Sequence, residues 1–516
     1  MDQFIRKYGR DVTGVLSGFD RLVFRGTARG LAVTSRLEGF LNYQGILLKD
    51  WDQYVQAMTA RLKRASCEEA RRLDRPVRYL ASSKASKEDV ARTIAKCDRV
   101  DEGLICVLTC VELCQSYELF RDRAQRKLRL VPRERKCLFL YHYWIDPVFG
   151  FMSARIQTWF PFSIQVCMNG REWLARELDR AKIGYVRWDN CFPSIDDVAQ
   201  AQRLMDAQLR VNWPQALNAI ARRLNPIHEQ MFAPATVDYY WSVYQNEWAT
   251  DVMFRSREAL AAIYPKLVRA AMAVFGSEDV MRFLGKKPNG HFKGQVVSTI
   301  RKRPEGVRIK HQLKENSLKL YDKFGQVLRP ECTLNNPRDF KVYRPKEGDP
   351  DGPLAWRPLR RGVADLHRRA HLQQTANERY LDALASLNTD RHVAEFVTPV
   401  CRATRWKRQR VRALRPWSEP DQPLLQIISR GEFTLSGFRN RDIVGHLYPD
   451  GFASESDRPK AAARVTRLLR ILRAHGIIRK IPHTHRYLLT RKGREITSAI
   501  IQTYNTPITH LTEIAS

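Results

Sequence analysis

The ten cysteines of this sequence include no CxxC pair, and its first ten residues carry no apolar core of signal-peptide type. The expectation is therefore reduced thiols in a cytoplasmic protein. The longest apolar run, around residues 103–111, is too short to span a bilayer. No strongly amphipathic basic helix stands beside a hydrophobic anchor, so no membrane contact is expected. Neither a Walker loop, a dinucleotide fingerprint nor a nucleophile elbow occurs, and there is no internal repeat.

Acid is scarce relative to base. There are 55 Asp plus Glu against 88 Lys plus Arg, a net charge of +33. Such an excess repels itself in a compact chain and points to a polyanionic partner. Nucleic acid is the leading candidate, because each neutralised phosphate releases counterions. Hydrophobic residues make up 44% of the 516 positions, enough to bury cores. At roughly 100–200 residues per domain, the length suggests about three or four domains.

Local patterns place an α/β region over residues 1–215. Residues 14–24 read as a strand with Asp20 near its middle. Ser86, with Asp89 three positions on, starts a helix. Residues 104–119 read as a buried helix carrying Cys106, Cys110 and Cys114 on one face as small core residues. Residues 137–143 and 154–168 read as strand, Asn169-Gly170 as a turn, and 171–181 and 194–224 as helical. A second region, 216–345, holds helices at 256–275 and 277–284 and a three-stranded meander at 307–313, 317–322 and 327–334. Residues 346–417 comprise a linker, a charged helix at 361–387 and a basic tract. Arg402, Arg405, Lys407, Arg408, Arg410, Arg412 and Arg415 fall within fourteen residues, next to Trp406 and Trp417. That composition suits a flexible arm that tracks phosphates and stacks on a base.

Residues 418–516 show three short helices, at 424–429, 439–447 and 459–474, a Gly476 stop, two strands at 477–481 and 486–490, and a final helix from Arg491. The stretch "LLRILRAHGIIRKIPHTHRYLLTRKGREI" resembles winged helix-turn-helix DNA-binding domains. The resemblance implies a third helix entering a major groove and a wing meeting phosphates. On it, Lys460, Arg464, Arg467 and Arg470 would contact DNA from the helix, and Lys480, His483, His485 and Arg486 from the wing. The fold class expected is α/β multidomain, an α+β core with an antiparallel β-meander, plus a C-terminal winged helix.

Strand alternation gives the meander an apolar face and a polar one with Arg308, Lys310, Lys319 and Arg329, a plausible nucleic-acid platform. The string "NSLKLYDKFGQVLRPE" resembles a segment of rolling-circle replication initiators of plasmids and phages. That likeness implies that Glu331 is a metal ligand and that Tyr343 or Tyr380 is a nicking nucleophile. Pro330 departs from the pattern, and no HxH motif on an apolar strand lies upstream.

Asp20, Glu247, Asp251 and Glu331 together would form an acidic group holding Mg2+, as two-metal nucleases and transposases require of carboxylates on separate segments. The plainer alternative pairs Asp20 with Arg21 or Arg25, pairs Glu331 with Lys319 or Arg308, and sets Glu247 and Asp251 one helical turn apart. The expected function is a mobile-element or plasmid DNA-binding protein, replication-initiator or transposase-like, acting on strands with a divalent metal. A non-enzymatic DNA-binding regulator and an RNA-binding partner of a structured RNA are the alternatives.

Overall fold

The computed structural model describes residues 1–233, 238–286, 296–303, 306–346, 348–349, 351–386, 393–430, 433, 437–452 and 454–505. The thirteen strands used below are Val12–Ala28 (β1), Val77–Leu80 (β2), Gly103–Asp122 (β3), Lys127–Asp146 (β4), Gly150–Gln157 (β5), Ile164–Asn169 (β6), Tyr185–Trp188 (β7), Cys191–Ile195 (β8), Tyr239–Phe254 (β9), Val296–Arg303 (β10), Gly306–Leu313 (β11), Asn316–Lys323 (β12) and Val327–Leu334 (β13). The chain divides into two compact units. One takes residues 12–255 and 326–374; the other takes 1–11, 256–325 and 375–516.

The first unit is a mixed α/β structure around a sheet of order β13-β9-β1-β6-β5-β4-β3-β2. Every neighbouring pair is antiparallel except β2 with β3. Alternation sends Phe19, Phe24, Trp144, Val166 and Trp248 to one face. There they pack with Trp51, Val55 and Leu62 of the helix Trp51–Arg72 and with Trp213 and Leu217 of the helix Trp213–Leu224. On the opposite face Leu16 and Met253 meet Leu174 and Leu178 of the helix Gly170–Arg180, Met205 of the helix Val198–Asp206, and Phe192 of β8. Ser86 caps the helix Lys87–Cys97 by accepting from the Asp89 amide, as its sequence suggests.

Three expectations are corrected here. Residues 104–119 form strand β3, not a helix. Cys106, Cys110 and Cys114 are buried in one cluster with Ile105 and Phe139, and burial pushes the Cys106 thiol up to about 12, so their reading as core residues stands. Glu247 and Asp251 lie on β9, not on a helix, and share a face because four is also a multiple of the strand period. Every position of β13 is buried, so Arg329 and Glu331 face the interior rather than forming a solvent-facing basic platform.

In the second unit β10, β11 and β12 are paired antiparallel in that order. The helices Arg257–Ala273 and Ser277–Phe283 match the expected helical stretches. The helix Leu366–Ala385 contributes residues to both units; position 387, its expected end, lies outside the described residues. The basic tract is not a free arm. Thr404–Trp406 pairs with Gln409–Val411, and Arg412 holds Asp421 through two bonds of 2.7 and 2.6 Å.

The C-terminal part has helices Asp421–Ile428, Asn440–Leu447 and Asp457–Ala474, then Gly476 at φ 71°, paired strands Ile478–Lys480 and Tyr487–Leu489, and the helix Arg491–Asn505. Leu424, Ile443, Val465, Leu469, Ile477 and Ile496 form its core. Gly476 occupies the left-handed conformation that ends many helices. Among the described residues no single helix is long and apolar enough to cross a membrane.

Candidate functional site

The acidic site is built on the middle of the sheet by strands distant in sequence. On β1, Phe19 lies opposite Trp248 and Arg21 opposite Glu247, so Asp20 is the extra residue of a β-bulge. A bulge re-aims one side chain out of the regular alternation. On β13, Leu328 pairs with Val252 and Glu331 with Ala249, while Arg329 and Pro330 drop out of the ladder. Pro330 has no N–H to give, which accounts for the interruption.

Asp20, Glu247 and Glu331 are brought together: one ligand oxygen from each lies within 4.8 Å of the others. Oxygens on opposite sides of a cation bound at about 2.1–2.4 Å are about 4.2–4.8 Å apart. Three carboxylate oxygens at this spacing are therefore a donor set for a hard cation. Asp20 is 5% exposed and Glu331 3%, whereas Glu247 is half-buried.

Asp20 uses only half of its carboxylate in the protein. Its Oδ2 accepts from Asn190 Nδ2 at 2.7 Å and from Arg329 Nη1 at 3.4 Å. Its Oδ1 is buried and has no hydrogen-bond partner among the described residues. A buried unpaired carboxylate oxygen costs free energy unless a cation or donor meets it. Asn190 comes from the β7–β8 turn, where Asp189 has φ 54°. The turn thus leans over the bulge from the helical layer.

Asp251, the fourth acidic residue expected in the site, is committed elsewhere. It is fully buried and receives Arg329 Nη2 at 2.9 Å and Arg171 Nη2 at 3.3 Å. Burial works against the charge on Arg329, yet Asp251 and Asp20 hold that guanidinium well above its ordinary value. Burial wins at Arg171, which is pulled down despite Asp251. Arg329 also donates to the Asn190 carbonyl at 2.6 Å, joining strand, turn and carboxylates in one network. Asp20 pairs with Asn190 and Arg329, not with Arg21 or Arg25.

Gly170 lets the overlying helix come this close. A Cβ there would stand 2.2 Å from the Phe19 carbonyl oxygen, next to the bulge. Asn169 caps the same helix by accepting from the Arg171 and Glu172 amides, which sets Arg171 in the first turn above Asp251.

The two candidate tyrosines differ in their surroundings. Tyr380 is fully buried, its hydroxyl 2.9 Å from His311 Nε2, and is inaccessible to a strand. Tyr343 is exposed on a ladder with Ala355–Pro358 and packs on Trp356 at 5.7 Å. Arg308, Lys310 and Lys319 are half-buried, with Lys310 directly opposite Lys319.

The cationic helix forms a second, separate feature. On Asp457–Ala474 the residues Ala461, Val465, Leu468, Leu469 and Leu472 are buried, and Lys460, Arg464, Arg467 and Arg470 are exposed. Arg464 and Arg467 form no ion pair among the described residues, while Lys460 holds Asp457 and Arg470 bonds Gln409. Lys480, His483 and His485 are exposed on the hairpin, and Arg486 is half-buried with Nη1 3.2 Å from the Gly437 carbonyl. In the basic tract Arg405, Lys407, Arg408 and Arg410 are exposed, and Trp406 lies beneath Lys407 and Arg473.

Asn190 and Arg171 were not singled out from the sequence, and Arg329 was expected on the meander's polar face rather than in this buried network. The available signals were the Asp189-Asn190 turn pair and an arginine two positions before Glu331 on β13. Comparison of the chain with known proteins gives no matching family model, no matching curated protein and no matching solved structure.

Proposed function

We propose that this protein binds duplex DNA and cuts or transfers a strand with a divalent cation, Mg2+ in the cell, held by Asp20, Glu247 and Glu331. The observation that carries the reading is the convergence of these three carboxylates around the unpartnered Asp20 Oδ1. A hard cation there would polarise a phosphodiester and lower the pKa of a bound water. Asp20 and Glu331, nearly inaccessible, would hold it. Half-buried Glu247 would face the substrate side and could accept the proton of an attacking water. Asn190 and Arg329 would fix the rotamer of Asp20 and limit the repulsion among the acids. The net charge of +33 and the exposed row Lys460, Arg464 and Arg467, on a helix arranged as in a winged helix, support DNA as the polyanion. A role in a mobile element or plasmid, in replication initiation or transposition, fits that chemistry and remains part of the proposal.

One observation favours a second reading. Arg329 and Arg171 already balance much of the buried acid, as they would in a structural ion network of a DNA-binding regulator. Supercoiled plasmid incubated with the protein and Mg2+ separates the two. Nicking or joining by the wild type and not by Glu331→Gln supports strand chemistry. Tight duplex binding without conversion by either protein selects the regulator. Preference for folded RNA over duplex at matched salt selects an RNA-binding function.

A further inference from the structure

The strand pair β1–β9 carries a second bulge close to the one at Asp20. Val23 pairs with Gln245 and Phe24 with Val243, so Tyr244 is the extra residue. This bulge turns the ring outward: Tyr244 is 47% exposed. Bulges beside a site commonly re-aim a side chain toward it. Tyr244 stands three residues from Glu247.

The face around these two bulges is open in its middle. Register puts Arg21, Val23 and Arg25 on the face of Glu247, next to Gln165 and Cys167 of β6. The helix Gly170–Arg180 covers one end of this face around Leu16 and Met253. The helix Lys87–Cys97 covers β3 and β4 at the other, through Ala91 and Ile94. Between them Arg21 is exposed like Tyr244, and Arg25, Gln165, Ser242 and Gln245 are half-buried. The reverse of the same strands is sealed, with Leu22, Phe24, Val166 and Val243 in the main core.

An antiparallel sheet can leave one face to water, so openness alone names no partner. Charge does. Across residues 21–28, 150–157, 164–169 and 239–247 the only acid is Glu247, against Arg21, Arg25 and Arg155. Arg155 is held by Glu112 at 2.7 Å. Arg21 and Arg25 form no ion pair among the described residues, although Arg21 stands directly opposite Glu247 in the ladder. Four residues apart on β1, they are separated by about 13 Å along the strand, enough to meet different phosphates. Cations that track a backbone, with an outward aromatic ring beside them, are the two parts of a single-strand site. In a duplex the base faces are stacked on one another, which leaves Tyr244 nothing to stack on.

We propose that this face holds a single DNA strand on its way to the carboxylates. An unpaired base stacks on Tyr244, Arg25 and Arg21 take successive phosphates, and the next phosphodiester reaches Glu247. The inference rests on the reading of DNA as substrate and deepens it, by naming the form of DNA that enters the site.

The test is fluorescence anisotropy of a short labelled DNA strand of mixed sequence, its RNA counterpart and its duplex, in EDTA across a salt series. Every protein is the full chain with Arg464→Ala and Arg467→Ala, so that the exposed cationic helix does not compete. That parent is compared with Tyr244→Ser and with Arg21→Gln plus Arg25→Gln, each first shown to melt like it. The DNA strand binds the parent more tightly than the duplex or the RNA does. Tyr244→Ser weakens the strand at least about fivefold and leaves the salt slope unchanged. The double arginine variant weakens it about tenfold or more and flattens the slope by about 1.4, at ~0.7 for each lost phosphate contact. Equal strand affinity in all three proteins, or tighter binding of duplex or RNA by the parent, overturns the proposal. Neither readout needs a bound cation. Strand binding that responds as expected, with supercoiled plasmid left uncut by the wild type, refutes the strand chemistry alone. Plasmid nicking with strand binding indifferent to the substitutions refutes this proposal alone.

Discussion

The sheet unit and the C-terminal helical part treat charge in opposite ways. In the first, Asp20, Asp251, Arg171 and Arg329 are almost sealed from solvent and matched to one another. In the second, Arg464 and Arg467 stand exposed and without ion-pair partners among the described residues, on a helix whose other side is apolar. Buried charges must be compensated within the fold, so they fix geometry. Exposed cations fix nothing locally and are left to meet an external polyanion. The difference separates residues whose loss should damage the fold from residues whose loss should damage only binding.

The largest expected effect follows from breaking the buried side of that contrast. Arg329→Met leaves Asp251 and Asp20 without their main counter-charge and should cost about 3–5 kcal/mol of stability. Urea denaturation measures it; a loss below about 1 kcal/mol would mean that water already compensates these carboxylates.

A pH effect comes next, and one histidine in each unit carries it. Burial holds His142 and His311 near about 4, against an ordinary 6.5. Their folded values lie below the unfolded one, so on acidification the unfolded chain takes up protons first. Stability is complete above pH 6.5 and is lost as pH falls toward 4, by up to about 3 kcal/mol per histidine. Melting temperature against pH should show the drop, and His142→Phe should shrink it. An unchanged slope would place that histidine in contact with water.

Smaller still is the change expected on the exposed side. Arg464→Ala with Arg467→Ala should leave melting within about 0.5 kcal/mol of wild type. Duplex affinity should fall about tenfold or more, and the slope of log affinity against log salt should flatten by about two. Binding measured across a salt series checks this. A large stability loss with an unchanged slope would reverse the contrast between the two regions.

The sequence made the two regions unequally legible. The C-terminal helices, the Gly476 stop and the hairpin follow from local signals: a 3.6-residue apolar period, a glycine and a short alternating pair. In the sheet unit a spacing of four misled the reading, because it fits both a helical turn and two strand periods. Cys106, Cys110 and Cys114 therefore looked helical on what is β3, and Glu247 with Asp251 looked one turn apart on what is β9. Asp20, Glu247 and Glu331 were identifiable as acids on separate segments. Their meeting depends on strand order, and the aim of Asp20 on a bulge that no residue type announces. Asp251 left the group because Arg329 and Arg171 are buried against it, a pairing of residues 78 and 80 positions away along the chain.

The central claim is that Asp20, Glu247 and Glu331 hold a divalent cation, and titration of Mn2+ or Mg2+ into the metal-free protein tests it most directly. The wild type should take up the ion, and Glu331→Gln and Asp20→Asn, both nearly isosteric, should weaken uptake by at least about tenfold while remaining folded. Equal uptake by wild type and both variants, or none by the wild type, would contradict the claim and leave these carboxylates as part of the buried ion network around Arg329.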